Sequence, residues 1–325
     1  MIETPSSIAV TSQDIKVIPS TVKMDYISLI FSGTSLALAI PLHTIIITVS
    51  VRTWYKVGFQ SPADLIILSL DLCNFIAQIL ALFEYGVYYL SDGHYSLYIY
   101  YGIFSGISIC CSWITAWLCT FFCIKIVSFQ HRLITYMKMR FSILIPHLIV
   151  GSFVICTSAG TLTFVTFAKC VPFTDTDNNS LSINNHHYFY KQSYNYILMH
   201  VVEAFMCLAT LLSLMSLGLT ISSLSLHILK NYGGASNIHF SQLKVHIRAV
   251  IVMILLLTLE IFYYLAWLFS EPPDDEIAEY WVCITFYYLS FPLKALTLIF
   301  GNRKLSRVCW DFICTYRSES PQSDE

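Results

Sequence analysis

One stretch of the chain decides its fold: residues 245–269 read VHIRAVIVMILLLTLEIFYYLAWLF. It carries only two charged side chains, Arg248 and Glu260. About 20 apolar residues in a helix cross the hydrocarbon core of a bilayer, so this stretch predicts a transmembrane helix. Six similar runs occur at roughly 26–51, 63–90, 99–127, 142–168, 196–229 and 278–300. The chain is therefore predicted to be an all-α membrane protein with seven transmembrane helices.

The composition supports a membrane protein. Of the 325 residues, 12% are charged and 56% are hydrophobic, and the mean hydropathy is +0.65. A soluble chain of this length needs more charge to cover its surface. The formal net charge of -2 gives no indication of a nucleic-acid partner.

Lysine and arginine sort to one side of the predicted membrane. Thirteen lie on the side of the C-terminus and four on the other, while Lys294 lies inside the seventh run. Because cytoplasmic loops carry the excess of basic residues, the N-terminus is predicted outside. The predicted parts are an extracellular N-terminus at 1–25, a seven-transmembrane domain at 26–300, and a cytoplasmic amphipathic helix and tail at 301–325.

The second outer loop, predicted at 169–195, contains a glycosylation sequon. Asn178-Asn179-Ser180 places the acceptor at Asn178, on the lumenal side of the predicted topology. Cys170 lies in the same loop, and a bridge from it to a cysteine of the third helix stays open.

Seven helices suit a G-protein-coupled receptor, a retinal protein or a small transporter. A retinal protein needs a lysine near the middle of the last helix, whereas Lys294 is about six residues, or roughly 10 Å, from its inner end. Paired broken helices, which are typical of transporters, are not evident. No nucleotide, metal or hydrolase motif occurs in the loops. A receptor without cofactor, rather than an enzyme, is the favoured interpretation.

Three motif blocks resemble the bitter taste receptors, the taste receptor type 2 family. The first is WITAWLCTFFCIKIVSFQH at 113–131, followed by a Lys138-Met-Arg140 step. The others are SQLKVHIRA at 241–249 and LIFGNRKL at 298–305. The order and spacing of the blocks resemble the ends of helices three, six and seven in that family, and an Asp-Arg-Tyr triplet is absent.

The resemblance implies a seven-transmembrane bundle of the G-protein-coupled receptor type at the plasma membrane. It implies a small amphipathic ligand, cationic bitter compounds included, and a heterotrimeric, gustducin-like G protein as partners, with lipid around the bundle. Two other classes stay open: a vomeronasal type 1-like pheromone receptor, and a seven-helix transporter or channel. The chain departs from the family pattern at Asn74, where the family has arginine, and at Lys294-Ala295, where it has His-Ser. His43 lies in the region of the family's helix-one asparagine.

Ionisable residues inside the predicted spans are candidates for function, because an unpaired charge in lipid is costly. Asp71 and Lys294 are predicted at similar depth on neighbouring helices two and seven, so we expect them to form a structural pair. The alternative is a solvated Asp71 and a Lys294 that extends to the inner headgroups.

The predicted ligand site combines aromatic and acidic residues of several helices. Cation–π contact and charge pairing favour protonated amines there. By resemblance, Trp113 and Tyr263 lie at ligand-contacting positions. An aromatic residue at helical spacing also fits the core or an interfacial belt. The predicted ligand-binding residues are Glu84, Trp113, Trp117, Glu203, Glu260, Tyr263 and Trp267.

The inner ends of helices three, four and six carry a basic rim. A G protein is predicted to dock there, although the orientation rule alone also places basic residues on this side. The residues of this rim are His131, Lys138, Arg140, Lys244, His246 and Arg248.

Overall fold

The structure, a computed structural model, consists of eight helices within the residues that it describes. Those residues are 20–58, 61–90, 94–127, 132–170, 184–231, 238–268 and 277–319, and some side chains near helix ends are not described. The helices are α1 (Ser20–Val57), α2 (Pro62–Leu90), α3 (His94–Ile126), α4 (Arg132–Cys170), α5 (Asn184–Asn231), α6 (Ile238–Leu268), α7 (Ile277–Gly301) and α8 (Arg303–Glu319).

Each of the seven apolar runs corresponds to one of the helices α1 to α7. Five runs lie entirely within their helix, and the runs at 99–127 and 245–269 end one residue beyond α3 and α6. Within the described ranges, six of the helices are long and apolar enough to cross a membrane. They are α1 to α6, and α7 is the seventh helix of the bundle. The predicted seven-helix fold is confirmed.

Two helices begin well before the apolar runs that predicted them. α5 begins at Asn184, so the predicted outer loop at 169–195 was too long, and α4 begins at Arg132, ten residues before its run. Hydropathy marks where the chain meets lipid, whereas a helix continues into water as long as its backbone hydrogen bonds persist.

α3 lies at the centre of the bundle and packs against α2, α4 and α5, while α6 packs mainly on α7 and α1 packs on α2 and α7. Ile109, Ile114 and Leu118 of α3 are almost fully buried. Leu211 and Met215 of α5 are exposed apolar side chains, as expected for a lipid-facing surface.

Glycines let α3 and α4 approach each other at the outer end of the bundle. A Cβ at Gly160 would lie 2.5 Å from the carbonyl oxygen of Gly102, and a Cβ at Gly106 would lie 2.9 Å from that of Cys156. Backbone atoms cannot yield as a side chain does, so this interface requires glycine.

Pro292 interrupts the backbone hydrogen bonds of α7, and α1 compensates. Proline has no N–H, so the carbonyl of Tyr288 four residues earlier loses its helical donor. The hydroxyl of Ser35 donates to that carbonyl at 2.6 Å, and the amide of Gln78 on α2 donates to Ser35 at 3.0 Å. Three helices thereby share one buried polar network near Pro292.

α8 follows α7 with almost no loop. The Asn302 side chain accepts a hydrogen bond from the backbone N–H of Lys304 at 3.0 Å and so caps the helix. Leu305 is buried against the bundle, whereas Trp310 is exposed. The ammonium of Lys304 lies 3.5 Å from Asp64 at the start of α2, which ties α8 to the inner end of the bundle.

Candidate functional site

An ion pair lies buried where α3, α6 and α7 meet. The ammonium of Lys294 is 2.7 Å from Oε2 of Glu260, and the two side chains are only 4% and 5% exposed. Ser112 of α3 donates a hydrogen bond to the other carboxylate oxygen of Glu260. We call Glu260 and Lys294 the α6–α7 ion pair. It joins two helices directly and a third through a hydroxyl.

An aromatic layer lies about one helical turn toward the outside. The Tyr263 hydroxyl and Ser108 of α3 are 2.9 Å apart, and the Tyr263 ring stacks on Tyr287 of α7 with centroids 5.2 Å apart. Phe291 packs edge-on against Tyr263 at 5.8 Å. The ammonium of Lys294 lies 4.8 Å from the Tyr263 ring centroid, so a cation–π contact connects the two layers.

The predicted pair of Asp71 with Lys294 was wrong. Asp71 instead lies 2.7 Å from Nδ1 of His43 on α1, and both side chains are almost fully buried. We call His43 and Asp71 the α1–α2 pair. The alternative expectation, a Lys294 that extends to the inner headgroups, was wrong too, because its ammonium points to Glu260.

The reason lies in the reach of the lysine side chain. Counting residues located its Cα in the inner half of α7, but four methylenes carry the ammonium about one helical turn away from that point. It extends outward to Glu260 and Tyr263, both predicted in the outer half of α6.

The two tryptophans of α3 have different surroundings. Trp113 follows Ser112 directly and is half-buried against the core, and its buried indole N–H has no hydrogen-bond partner among the described residues. Trp117 donates its indole N–H to Ser152 of α4 at 2.9 Å. The structure thus directs Trp117 toward α4, away from the α6–α7 ion pair, although the two rings lie 5.7 Å apart.

Glu203 pairs with a residue of its own helix rather than with the α6–α7 ion pair. Its carboxylate lies 2.9 Å from His200 of the same helix, one turn earlier, where His200 is 70% exposed. Further along α5, the Cys207 thiol lies 3.8 Å from the hydroxyl of Tyr264. The outer half of α5 is therefore connected to α6 through Tyr264 rather than through the predicted acid.

Several predicted site residues lie outside the description. Glu84, Lys138 and Trp267 belong to described helices, but their side chains are not described, and neither are residues His131 and Asn178. Their predicted roles stay predictions.

On the inner side, Arg140 and Lys244 are exposed and His246 is half-buried. Arg248 was also predicted to belong to the basic rim, and its guanidinium donates to the backbone carbonyl of Phe300 near the end of α7. That carbonyl lacks a helical donor because it belongs to the last turn.

A small cleft of about 20 Å³ opens at the inner ends of α1, α2 and α8, away from the predicted ligand site. Its walls include the Asp64–Lys304 pair. In contrast, the side chains around the α6–α7 ion pair are closely packed, and Tyr263 is buried. The Tyr263 ring is therefore one of the groups that cover this pair on its outer side.

Long apolar helices packed into a seven-helix bundle within the described residues define the class of the protein as a polytopic α-helical membrane protein. The family model for the taste receptor protein family (TAS2R) matches residues 21–317, so the chain belongs to this family. The resemblance drawn from the three motif blocks is confirmed, and the family indicates a receptor rather than an enzyme.

Relatives of the chain carry the same family description at low identity. It is 25% identical to taste receptor type 2 member 4 of Pongo pygmaeus over 84% of this chain and 92% of the relative. It is 25% identical to the Homo sapiens member 4 over 90% and 98%. It is also 25% identical to member 41 of Pongo pygmaeus over 90% and 96%. The similarity therefore extends over nearly the whole of these receptors.

Proposed function

We propose that the chain is a G-protein-coupled chemosensory receptor of the plasma membrane, activated by small amphipathic compounds of the bitter kind. Family membership and relatives named as taste receptors support this function over the vomeronasal and transporter alternatives. The observation that carries the proposal is the junction of α3, α6 and α7, where an aromatic layer covers a buried ion pair.

The order of the two layers suits a ligand that arrives from outside. Such a ligand first meets Tyr263 and Tyr287, which offer flat apolar faces. Beneath them lie Glu260 and Lys294, which offer charge in a site shielded from water. An apolar body and a polar group on one small molecule match this sequence of surfaces.

Signal transfer requires that the ligand bind one arrangement of the bundle more tightly than another. α6 carries Glu260 near the ligand side and Arg248 at its inner end, twelve residues or about 18 Å away. Arg248 holds α6 to α7 through the Phe300 carbonyl. A ligand that displaces Tyr263 and changes the Glu260–Lys294 geometry shifts α6 against α7, and the Arg248 contact breaks.

The proposed cytoplasmic partner is a heterotrimeric, gustducin-like G protein. Exposed Arg140 and Lys244 provide positive charge on the inner side, where an acidic surface of a partner is attracted. His131, Lys138 and His246 complete the proposed docking rim.

A calcium assay in cells that express the receptor and a promiscuous G protein tests the proposal. A panel of bitter compounds is expected to evoke signals in the wild type, and Trp113→Ala is expected to reduce them at least about tenfold in potency. Leu211→Ala, a change on the exposed face of α5, is the matched control and is expected to leave the responses unchanged. Responses that persist without any G protein contradict the proposal and favour a channel.

A further inference from the structure

The α6–α7 ion pair consists of two opposite charges side by side, so its net charge is zero. The Lys294 ammonium and the Glu260 carboxylate are 2.7 Å apart, and both side chains are buried. A buried charge is poorly screened by water, so any charge that a ligand brings close to this pair interacts strongly with both members.

Each member of the α6–α7 ion pair retains capacity for another partner. An ammonium has three N–H groups, and the contacts of Lys294 are one carboxylate oxygen and the Tyr263 ring face. A carboxylate has about four lone-pair sites, and the contacts of Glu260 are Ser112 and Lys294. A ligand group can therefore join either residue without breaking the existing pair.

The sign of the ligand's charge then decides its fit. An amine that contacts Glu260 also lies against the Lys294 ammonium and adds an uncompensated positive charge to a buried site. A carboxylate that contacts Lys294 meets the opposite problem at Glu260. A zwitterion places its ammonium at Glu260 and its carboxylate at Lys294, so four alternating charges form a ring and the net charge stays zero.

We infer that the α6–α7 ion pair recognises a dipolar group, and that small amphipathic zwitterions such as aromatic α-amino acids are a preferred ligand class. This inference rests on the proposed function. Tyr263, Tyr287 and Phe291, which surround the pair on its outer side, accommodate the aromatic side chain. The preference for protonated amines expected from Glu260 alone is replaced, because Lys294 already compensates that acid.

Matched probes separate the two charges of such a ligand. Phenylalanine and tryptophan are compared with their methyl esters, which keep the ammonium and lose the carboxylate, and with their N-acetyl derivatives, which keep the carboxylate and lose the ammonium. In the calcium assay, each free amino acid is expected to be at least about tenfold more potent than both of its derivatives, because each derivative loses one charge-assisted contact.

Variants assign the preference to the ion pair. Glu260→Gln/Lys294→Gln keeps the shape and removes both charges, and is expected to bring the three forms of each probe within about threefold of one another. Asp64→Asn/Lys304→Gln removes the ion pair at the inner end of the bundle and is the matched control, with the tenfold preference retained. Surface labelling of the N-terminus checks that the variants reach the membrane.

A second variant tests the inference if the double glutamine variant does not reach the surface. Glu260→Asp keeps both charges but withdraws the carboxylate by one methylene, and is expected to lower the potency of each free amino acid about tenfold relative to its N-acetyl derivative, which has no ammonium for this carboxylate.

The possible failures are distinguishable. If the wild type responds to bitter compounds but does not prefer the zwitterions, or if the preference survives in the neutral double variant, the inference is wrong and the proposed function stands. If a surface-expressed wild type responds to no probe and no bitter compound, the proposed function itself is contradicted, and the inference falls with it.

Discussion

Two buried acid–base pairs lie in the same bundle and differ in what surrounds them. Ser112 donates a hydrogen bond to one carboxylate oxygen of Glu260, and the Lys294 ammonium lies 2.7 Å from the other, an ion-pair contact without hydrogen-bond geometry. In the α1–α2 pair, only one oxygen of Asp71 meets His43. Within the described part of the chain, the other oxygen, Nε2 of His43 and the side-chain amide of Asn74 have no hydrogen-bond partner, although all are buried.

A charge inside the membrane therefore does not by itself show whether a residue senses a ligand or stabilises helix packing. The α6–α7 ion pair joins three helices under an aromatic layer, where a ligand's charge is felt and a change in geometry moves one helix against another. The α1–α2 pair joins two neighbouring helices and is expected to stabilise their packing. The following variants test this division.

The largest effect is expected from removing one member of the α6–α7 ion pair. Lys294→Met leaves Glu260 as an uncompensated charge in the bundle, which destabilises by about 3–5 kcal/mol. Thermal unfolding of purified receptor in detergent and surface expression measure the loss. Glu260→Gln/Lys294→Met is the matched rescue, and is expected to recover most of the stability. Equal losses in the single and double variants would show that the two residues are not coupled.

A smaller loss is expected at the α1–α2 pair. Asp71→Asn replaces a hydrogen bond to a carboxylate by one to an amide, with a cost of about 1.5–3 kcal/mol. Combined with Lys294→Met, the two losses are expected to add within about 0.5 kcal/mol, since the pairs share no partner. A coupling clearly above that value would revive the rejected Asp71–Lys294 pair.

Much of this bundle follows from sequence, because lipid imposes a composition that is easily recognised. Stretches such as 245–269 cannot be soluble, and basic residues orient them. The helix starts at Arg132 and Asn184 were missed because hydropathy reports the membrane boundary rather than the end of the backbone hydrogen bonds.

The partners within the site were harder to predict. Glu260, Lys294, Asp71 and His43 were each noted from the sequence, but a helix that is apolar all round does not reveal which face it turns to its neighbour. Counting residues also locates only the Cα atom, and the length of the Lys294 side chain was enough to exchange one partner for another. Ser112 had no signal, since serine at one position of an apolar helix is common.

A third variant tests the backbone support of α7 beside both pairs. Ser35→Ala removes the donor to the Tyr288 carbonyl that Pro292 leaves without a helical partner, and also the acceptor of Gln78. The expected cost is about 1–2 kcal/mol in thermal unfolding, because buried polar groups lose their partner. Thr34→Ala is the control: its hydroxyl only bonds carbonyls of its own helix at an exposed position, so little change is expected. A larger loss at Thr34 than at Ser35 would contradict the role of this network.

The smallest effect separates the two tryptophans of α3, which the sequence placed in one ligand site. Trp117→Phe loses the hydrogen bond to Ser152 of α4 and is expected to cost about 1 kcal/mol of stability, with ligand potency unchanged within about twofold. Trp113→Phe loses no hydrogen bond within the protein, so its stability is expected to stay near the wild type while ligand potency falls. Dose–response curves and thermal unfolding on the same two variants measure both quantities. The two substitutions are identical in chemistry and lie one helical turn apart. A loss of potency at Trp117 alone would therefore show that the ligand lies toward α4 and does not bind at the junction of α3, α6 and α7.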